Sequence, residues 1–184
     1  MDSYIDIKLK PDAEMRENVL MNKVYSKLHK FLFDIESIDI GISFPETRVL
    51  LGNVLRIHST KKRLLDLKNT DWLGGLAGYC DQGDELLIPA EYKNITVSRW
   101  QSNMSQAHLR RLIKRGSISD EEVKGYKAKM FATQMTTLPF LELESTSSGK
   151  LHRRYIQMSE ARDQSVLGDF DTFGLSKIAT IPWF

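Results

Sequence analysis

Histidine is the side chain of this sequence best suited to acid–base chemistry, because it exchanges protons near neutral pH. The histidines lie far apart, and none belongs to an HExxH, CxxC or DxD pattern; they are His29, His58, His108 and His152. Unless the fold brings them together, this spacing predicts no metal site, and the sequence has no GxxxxGK loop for a nucleotide phosphate. We therefore expect no cofactor. The single cysteine, Cys80, excludes an intrachain disulfide and is given no catalytic role.

His29 stands out because it follows Leu28, a member of an apolar helical stripe, and lies between Lys27 and Lys30. A histidine at the rim of an apolar face is usually structural. It can also move a proton to or from an RNA 2′-hydroxyl or leaving oxygen, and nearby positive charge would stabilise the phosphorane. This second interpretation is favoured if the chain binds a polyanion.

A block without acidic residues, 92–119, indicates such a partner. The whole protein has a net charge of only +2, yet this block contains six basic residues: Lys93, Arg99, Arg110, Arg111, Lys114 and Arg115. At helical spacing, Leu109, Leu112 and Ile113 share one face, and basic residues occupy the opposite one. An ordinary solvated helix would interleave acids with these bases. The pattern predicts a helix that binds nucleic acid, with one side of the protein facing the polyanion.

Arg99 and Gln101 lie two residues apart in an extended segment before this helix, so their side chains leave the same face of a strand. Arginine can pair with guanine O6 and N7, and glutamine with adenine N6 and N7. The alternative is an edge strand with polar outer residues. Their place in the acid-free block favours base recognition.

The first half of the chain predicts the order strand, helix, strand, strand, helix, strand. Alternation at Ile5, Ile7 and Leu9 is typical of a strand, and a helix capped by Asp12 is expected to end near Phe33. The remaining elements are extended segments at 38–44, 54–58 and 86–88, and a helix capped at Ser59 or Thr60. This order is the split βαβ arrangement of ferredoxin-like and RNA-recognition domains.

The second half predicts a smaller α+β domain. The basic helix ends at Gly116, and a second helix begins with a capping box of Ser119 and Glu122. A hairpin of residues 141–144 and 155–158, with a turn at 147–150, and a buried apolar end at 173–184 complete the domain. The boundary falls near 89–91, giving domains 1–91 and 92–184.

Composition excludes a membrane protein. The 184 residues are 41% hydrophobic, enough for a sizeable core, but they contain no run of eighteen apolar residues. Asp2, Asp6 and Lys8 occupy the positions where a signal peptide would need an apolar segment. The sequence predicts a cytoplasmic protein without a membrane partner.

The whole chain resembles the CRISPR repeat-cleaving endoribonuclease of the type I-F system, the Csy-type family that makes guide RNAs. The similar segments follow one another in the same order from end to end: MDSYIDIKLKPD (1–12), KLH (27–29), GISFP (41–45), LRIH (55–58), VSRWQ (97–101), RRLIKR (110–115), LPF (138–140), the serine-rich stretch 145–149, GLSK (174–177) and the closing PWF.

The resemblance implies a metal-independent endoribonuclease. In that family an N-terminal ferredoxin-like domain carries the active-site histidine, which matches His29, and a serine of the C-terminal hairpin, which matches Ser145, holds the reacting nucleotide. The 2′-hydroxyl attacks the adjacent phosphate on the 3′ side of a short repeat hairpin, leaving a 2′,3′-cyclic phosphate and a 5′-hydroxyl. The enzyme then stays on its product beside other subunits of a type I-F surveillance complex.

The resemblance also implies the RNA contacts. The family's base-reading arginine and glutamine match Arg99 and Gln101, and its arginine-rich helix matches residues 106–115. We expect Ser147 to contact the RNA as well. The expected phosphate-binding side chains are Arg110, Arg111, Lys114 and Arg115.

Two positions depart from the family pattern. Relatives often have a tyrosine before GLS that orients the histidine, whereas this chain has Phe173, which can pack but cannot donate a hydrogen bond. The aromatic residue that stacks under the terminal base pair in relatives is His152 here, a weaker and pH-dependent stacking group.

Two alternatives to the nuclease remain. A hairpin-binding subunit with little or no cleavage activity is compatible with Phe173. A helix-turn-helix DNA-binding protein using helices at 105–115 and 119–136 would fit the charge but would leave the N-terminal half without a purpose.

Overall fold

The computed structural model describes residues 1–101, 104–134, 137–144 and 149–184. The chain divides into two compact units, one formed by Met1–Arg99 with Pro139–Phe184 and the other by Trp100–Leu138. The first unit combines helices with antiparallel sheets, an α+β arrangement. Within the described ranges, no helix is both long and apolar enough to cross a membrane.

The first unit is built on an antiparallel sheet with β1 (Ser3–Leu9) at its centre. Alternate side chains of β1 are buried, as the alternation predicts, and Ile5 lies opposite Ile57 of the neighbouring strand. The strand order is β2 (Gly41–Ser43), β3 (Val54–Ser59), β1 and β4 (Cys80–Gln82), and β5 (Leu86–Leu87) pairs with the start of β1.

One long helix, α1 (Glu17–Asp34), contributes a buried stripe to the hydrophobic core that it shares with this sheet: Leu20, Met21, Val24, Tyr25, Leu28 and Leu32. The predicted stripe is therefore confirmed except at Phe31, which is only partly buried, and the predicted cap at Asp12 is wrong. Asp12 Oδ1 accepts hydrogen bonds from the backbone N–H groups of Glu14 and Met15 at 2.9 and 2.7 Å, which closes a separate turn. The residue before the helix is Arg16, whose side chain makes no capping hydrogen bond.

Among the shorter elements of this unit, one helix forms as predicted, one predicted strand is too long, and two elements were not predicted. Helix α2 (Lys61–Lys68) is capped by Thr60, as predicted, because its hydroxyl accepts from the Arg63 N–H at 3.3 Å. The extended segment predicted at 38–44 is too long, since only Gly41–Ser43 pairs as a strand and Ile38 is exposed. The 3₁₀ helix Gly74–Tyr79 and β4 were missed, because a glycine-rich stretch is typical of a loop.

The rest of the first unit contains two smaller sheets. Strands β8 (Phe140–Glu144) and β9 (Leu151–Met158) form the predicted hairpin, and β7 (Val97–Trp100) pairs with the other edge of β9. The predicted turn at 147–150 lies in part outside the described residues. Strand β10 (Ile181–Trp183) pairs with β6 (Lys93–Ile95). The end of the chain is only partly buried as predicted, because Ile181 is buried whereas Ile178 is 66% exposed.

The second unit contains helices α3 (Gln106–Lys114) and α4 (Asp120–Gln134). Gly116 has a φ of 65° and ends α3 as predicted. The predicted capping box of α4 is confirmed: the Ser119 N–H donates to Glu122 Oε2 at 2.8 Å, and the Glu122 N–H donates to Ser119 Oγ at 3.3 Å. The apolar face of α3 is narrower than predicted, since Leu109 is buried but Ile113 is 52% exposed.

Candidate active site

His29 is half-buried on α1, directly after the buried Leu28. Its Nδ1 lies 2.8 Å from the backbone carbonyl oxygen of Thr172. Because a carbonyl oxygen only accepts, Nδ1 must carry the proton and donate it. This hydrogen bond orients the ring and leaves Nε2 to exchange a proton with a substrate.

The ring of Phe173 stacks on His29, with 3.5 Å between ring centroids and 12° between ring planes. Hydrogen bonds hold the backbone around Phe173: Asp171 Oδ1 accepts from the N–H groups of Phe173 and Leu175 at 2.9 and 3.0 Å. The Tyr25 hydroxyl donates to the Phe173 carbonyl at 3.0 Å. Burial raises the pKa of Tyr25, so this phenol stays a neutral donor.

Gly174 makes the turn that presents Phe173. Its φ of +69° lies in the left-handed region, and a Cβ added there would lie 2.8 Å from Cγ2 of Ile42. The Gly174 N–H donates to the Asp171 carbonyl at 2.8 Å, and its own carbonyl accepts from Ile42 N–H at 3.1 Å. Glycine is therefore needed in the GLSK segment to dock this turn on β2.

Arg154 lies on the other face of the Phe173 ring, with its guanidinium carbon 3.5 Å from the ring centroid. The imidazole of His29 occupies one face at the same distance, so the guanidinium must occupy the opposite face. Arg154 is only 5% exposed. Burial lowers its pKa; the charge of Arg99 acts in the same direction, whereas Tyr25 and Asp171 act in the opposite one.

These side chains border a cleft of about 620 Å³ formed by α1, β8, β9 and the turn around Phe173. Its polar lining contains four basic side chains, two carboxylates and Ser26: His29, Lys30, His152, Arg154, Asp34 and Glu144. Lys30 and Arg154 offer cationic donors to an anionic group. No group of three or more His, Cys, Asp or Glu side chains in the described ranges is arranged to hold a metal ion.

The predicted RNA-contacting residues of the hairpin are described only in part. His152 lies opposite Leu143 in the β8–β9 ladder and lines the cleft, which brings it to the same site as His29. Ser145 and Ser147 follow β8 directly in the sequence and lie outside the described residues.

The predicted base-reading pair spans the division between the two units. Arg99 is half-buried on β7 in the first unit, and Gln101 is exposed one residue beyond the end of that strand in the second. The extended segment predicted before the basic helix is thus present as far as Trp100.

The basic face predicted on α3 is exposed and consists of Arg110, Arg111, Lys114 and the capping residue Arg115. Lys93 belongs to a different surface feature, because it forms an ion pair with Asp163. Four of the six basic residues predicted in the acid-free block therefore belong to α3 and its C-terminal cap, and Lys93 does not.

Sequence reasoning missed Arg154 and Tyr25. The signal for Arg154 was available, since it lies at an inward-facing position of β9, two residues before the buried Ile156. Tyr25 belongs to the apolar stripe of α1, and nothing in its spacing distinguishes a tyrosine whose hydroxyl holds a distant loop.

An imidazole with one ring nitrogen available can exchange a proton with a group bound in this cleft. The family model of a CRISPR-associated protein (Cas_Csy4) matches residues 4–184. The chain is 37% identical to the CRISPR-associated endonuclease Cas6/Csy4 of Escherichia coli (strain UTI89 / UPEC) and 36% identical to the protein of that name from Pseudomonas aeruginosa (strain UCBPP-PA14), in each case over the full length of both proteins. This chain therefore belongs to the Csy4 family, and the family predicted from its sequence is confirmed.

Proposed function

We propose that this protein is an endoribonuclease that cleaves CRISPR repeat RNA at the 3′ base of its hairpin, without a metal ion. Membership of the Csy4 family supports the proposal, as do two full-length relatives whose names specify CRISPR-associated endonucleases. The observation that carries it is the hydrogen bond from His29 to Thr172, which leaves the other ring nitrogen to transfer a proton in a cleft that Lys30 and Arg154 also line.

The chemistry needs no group other than the RNA and the protein. The 2′-hydroxyl oxygen forms a bond to the adjacent phosphorus, and the bond from phosphorus to the 5′-oxygen of the next nucleotide breaks. The hydroxyl gives up a proton and the leaving oxygen takes one, so the products are a 2′,3′-cyclic phosphate and a 5′-hydroxyl. His29 serves as the base or the acid in this exchange, and Ser145 holds the reacting nucleotide.

Recognition of the hairpin is assigned to both units. Arg99 and Gln101 read bases at the bottom of the stem, His152 stacks under its terminal pair, and Ser147 contacts the RNA. The phosphates are bound by α3 through Arg110, Arg111, Lys114 and Arg115, whose exposure supports this role.

The strand order β2-β3-β1-β4 supports a ferredoxin-like fold for the N-terminal part. We further propose a functional division in which residues 1–91 carry the active-site histidine and residues 92–184 bind the hairpin. The protein keeps its product as a subunit of a type I-F surveillance complex in the cytoplasm.

A second candidate function is a hairpin-binding subunit with little or no cleavage activity. Phe173 supports it, because a phenylalanine has no hydroxyl to orient His29. The Thr172 carbonyl, which already orients the imidazole, favours the nuclease.

The experiment uses a labelled type I-F repeat RNA, the same RNA with 2′-deoxyribose at the cleaved nucleotide, and the corresponding DNA hairpin, all in EDTA. We expect cleavage of the all-ribose RNA only, with a cyclic phosphate on the upstream product. Binding of the RNA without cleavage would establish the second candidate, and a requirement for Mg²⁺ or cleavage of the deoxy substrate would exclude the mechanism. Preferential binding of DNA would identify a DNA-binding protein.

A further inference from the structure

Arg154 is a buried cation that forms no ion pair with another described residue. Its Nε has no hydrogen-bond partner among the described residues. None of the ion pairs between described residues includes it either. Burying a charge is costly unless the charge is paired and hydrogen-bonded, so such a side chain is uncommon in a folded protein.

Arg56 is a second arginine that packs against aromatic rings, and its ion pair provides a comparison for Arg154. Its guanidinium also lies against aromatic rings, 4.4 Å from the centroid of Tyr4 and 4.3 Å from that of Phe184. Here, however, Asp6 accepts two parallel hydrogen bonds from it, at 2.7 and 2.9 Å. Arg154 has the aromatic contact, but no described carboxylate forms an ion pair with it.

The position of Arg154 indicates which kind of ligand could pair with its charge. Its side chain borders the cleft that His29 lines, and Phe173 separates the guanidinium from the imidazole. Arg99 adds positive charge to the surroundings of Arg154, and Asp171 adds negative charge without forming an ion pair with it. An anion in this cleft would supply the direct ion pair that Arg154 lacks among the described residues.

We propose that Arg154 is a second catalytic residue, whose guanidinium binds the non-bridging oxygens of the scissile phosphate while His29 transfers the proton. This inference rests on the proposed function. As the 2′-oxygen attacks, negative charge accumulates on those oxygens, and a planar guanidinium can donate two parallel hydrogen bonds to them. The Phe173 ring holds the guanidinium flat and so fixes the direction of its donors.

The competing explanation is that Arg154 acts only by packing against Phe173. Arg154→Met separates the two, because methionine is long and apolar and can keep the contact with the ring while removing the charge. Arg154→Lys keeps the charge but loses the planar pair of donors. Arg153→Met is the matched control, since Arg153 is the neighbouring arginine, is exposed, and pairs with Glu142.

The experiment measures the affinity of each variant for two hairpin RNAs, one ending at the cleavage position in a 3′-phosphate and one in a 3′-hydroxyl, together with the single-turnover cleavage rate. In the parent the phosphate should tighten binding by roughly tenfold to a hundredfold, as expected for a charged hydrogen-bonded pair. Arg154→Met should lose this gain and a similar factor in rate while binding the 3′-hydroxyl RNA normally. Arg154→Lys should keep part of both, and Arg153→Met should behave as the parent.

An undiminished gain from the phosphate in Arg154→Met would overturn the inference. The melting temperature gives an independent check: removing an unpaired buried cation should leave it equal or raise it. A lower melting temperature together with weaker binding of both RNAs would show that Arg154 has a structural role and would also overturn the inference. A parent protein that binds the hairpin but does not cleave it would instead contradict the proposed nuclease.

Discussion

At the scale of single residues, the site depends on a backbone carbonyl where a tyrosine hydroxyl is expected from the family pattern. His29 donates to the Thr172 carbonyl, and the Phe173 ring covers one of its faces. The loop that supplies both contacts is held by Tyr25 and Asp171. The orientation of the imidazole therefore comes from the backbone, and the ring of Phe173 restricts its tilt.

Phe173→Leu tests the contribution of the stacked ring. Aromatic pairs contribute about 0.5–1.5 kcal/mol beyond their buried area, so the single-turnover cleavage rate should fall by roughly 2–10-fold. Phe173→Tyr is the control, because it keeps the ring and should cleave close to the parent's rate. A large rate increase in the tyrosine variant would mean that the missing hydroxyl, and not the Thr172 carbonyl, limits the orientation of His29.

At the scale of elements, α3 has the composition of a phosphate-binding helix. Its basic residues are exposed, its first turn has no acidic residue, and Arg111 and Lys114 lie in its last turn. Such cations bind phosphates without regard to base sequence. We therefore expect this helix to contribute affinity and salt dependence rather than specificity.

Replacing Arg111, Lys114 and Arg115 together by alanine should weaken hairpin binding and reduce the slope of log affinity against log salt by roughly two to three. The measurement is a titration of labelled hairpin at several salt concentrations. A matched triple replacement of exposed lysines in the other unit, Lys8, Lys61 and Lys62, should reduce the slope less. Equal slopes for the parent and the α3 variant would exclude this helix from the interface.

Strand β3 carries a buried histidine that should make the fold sensitive to acid. His58 is fully buried, and its Nε2 lies 2.9 Å from Ser43 Oγ, while its Nδ1 has no partner among the described residues. Burial, with help from the charge of Arg56, lowers the pKa of His58 to about 3. The native state therefore keeps His58 neutral at pH values where an unfolded chain would protonate it.

The sign of the effect follows from this difference in proton binding. Below about pH 6.5 the unfolded chain protonates His58, whereas the native state does not. The free energy of unfolding therefore falls by about 1.4 kcal/mol per pH unit until the pH approaches the pKa of His58 in the folded protein. Urea unfolding at pH 6.5 and pH 5 should show this loss in the parent, and His58→Gln should show a loss smaller by about 2 kcal/mol over that interval. Equal losses in the two proteins would show that His58 is not the group responsible.

At the scale of the whole molecule, the sequence predicts elements well where periodicity is strong. The alternation of β1, the stripe of α1 and the capping box of α4 all form as predicted. Prediction from the sequence fails where side-chain hydrogen bonds in a turn determine the local structure. Asp12 is an example, because its carboxylate closes a turn instead of capping the helix. No sequence pattern could place Thr172 against His29, because 143 residues separate them and a backbone carbonyl leaves no trace in residue type.

In the proposed mechanism, His29 transfers a proton during cleavage and is not needed for binding. The most direct measurement compares His29→Ala with the parent in two assays, single-turnover cleavage of the repeat RNA at saturating protein and affinity for the uncleavable 2′-deoxy hairpin. His108→Ala, which changes an exposed histidine of the other unit, is the control and should cleave at the parent's rate. We predict that His29→Ala cleaves about 10²–10⁴-fold more slowly, the usual contribution of a positioned acid or base, while its hairpin affinity stays within a few fold of the parent's. A variant that retains the parent's rate, or one whose slow cleavage is fully explained by lost affinity, would exclude proton transfer by His29.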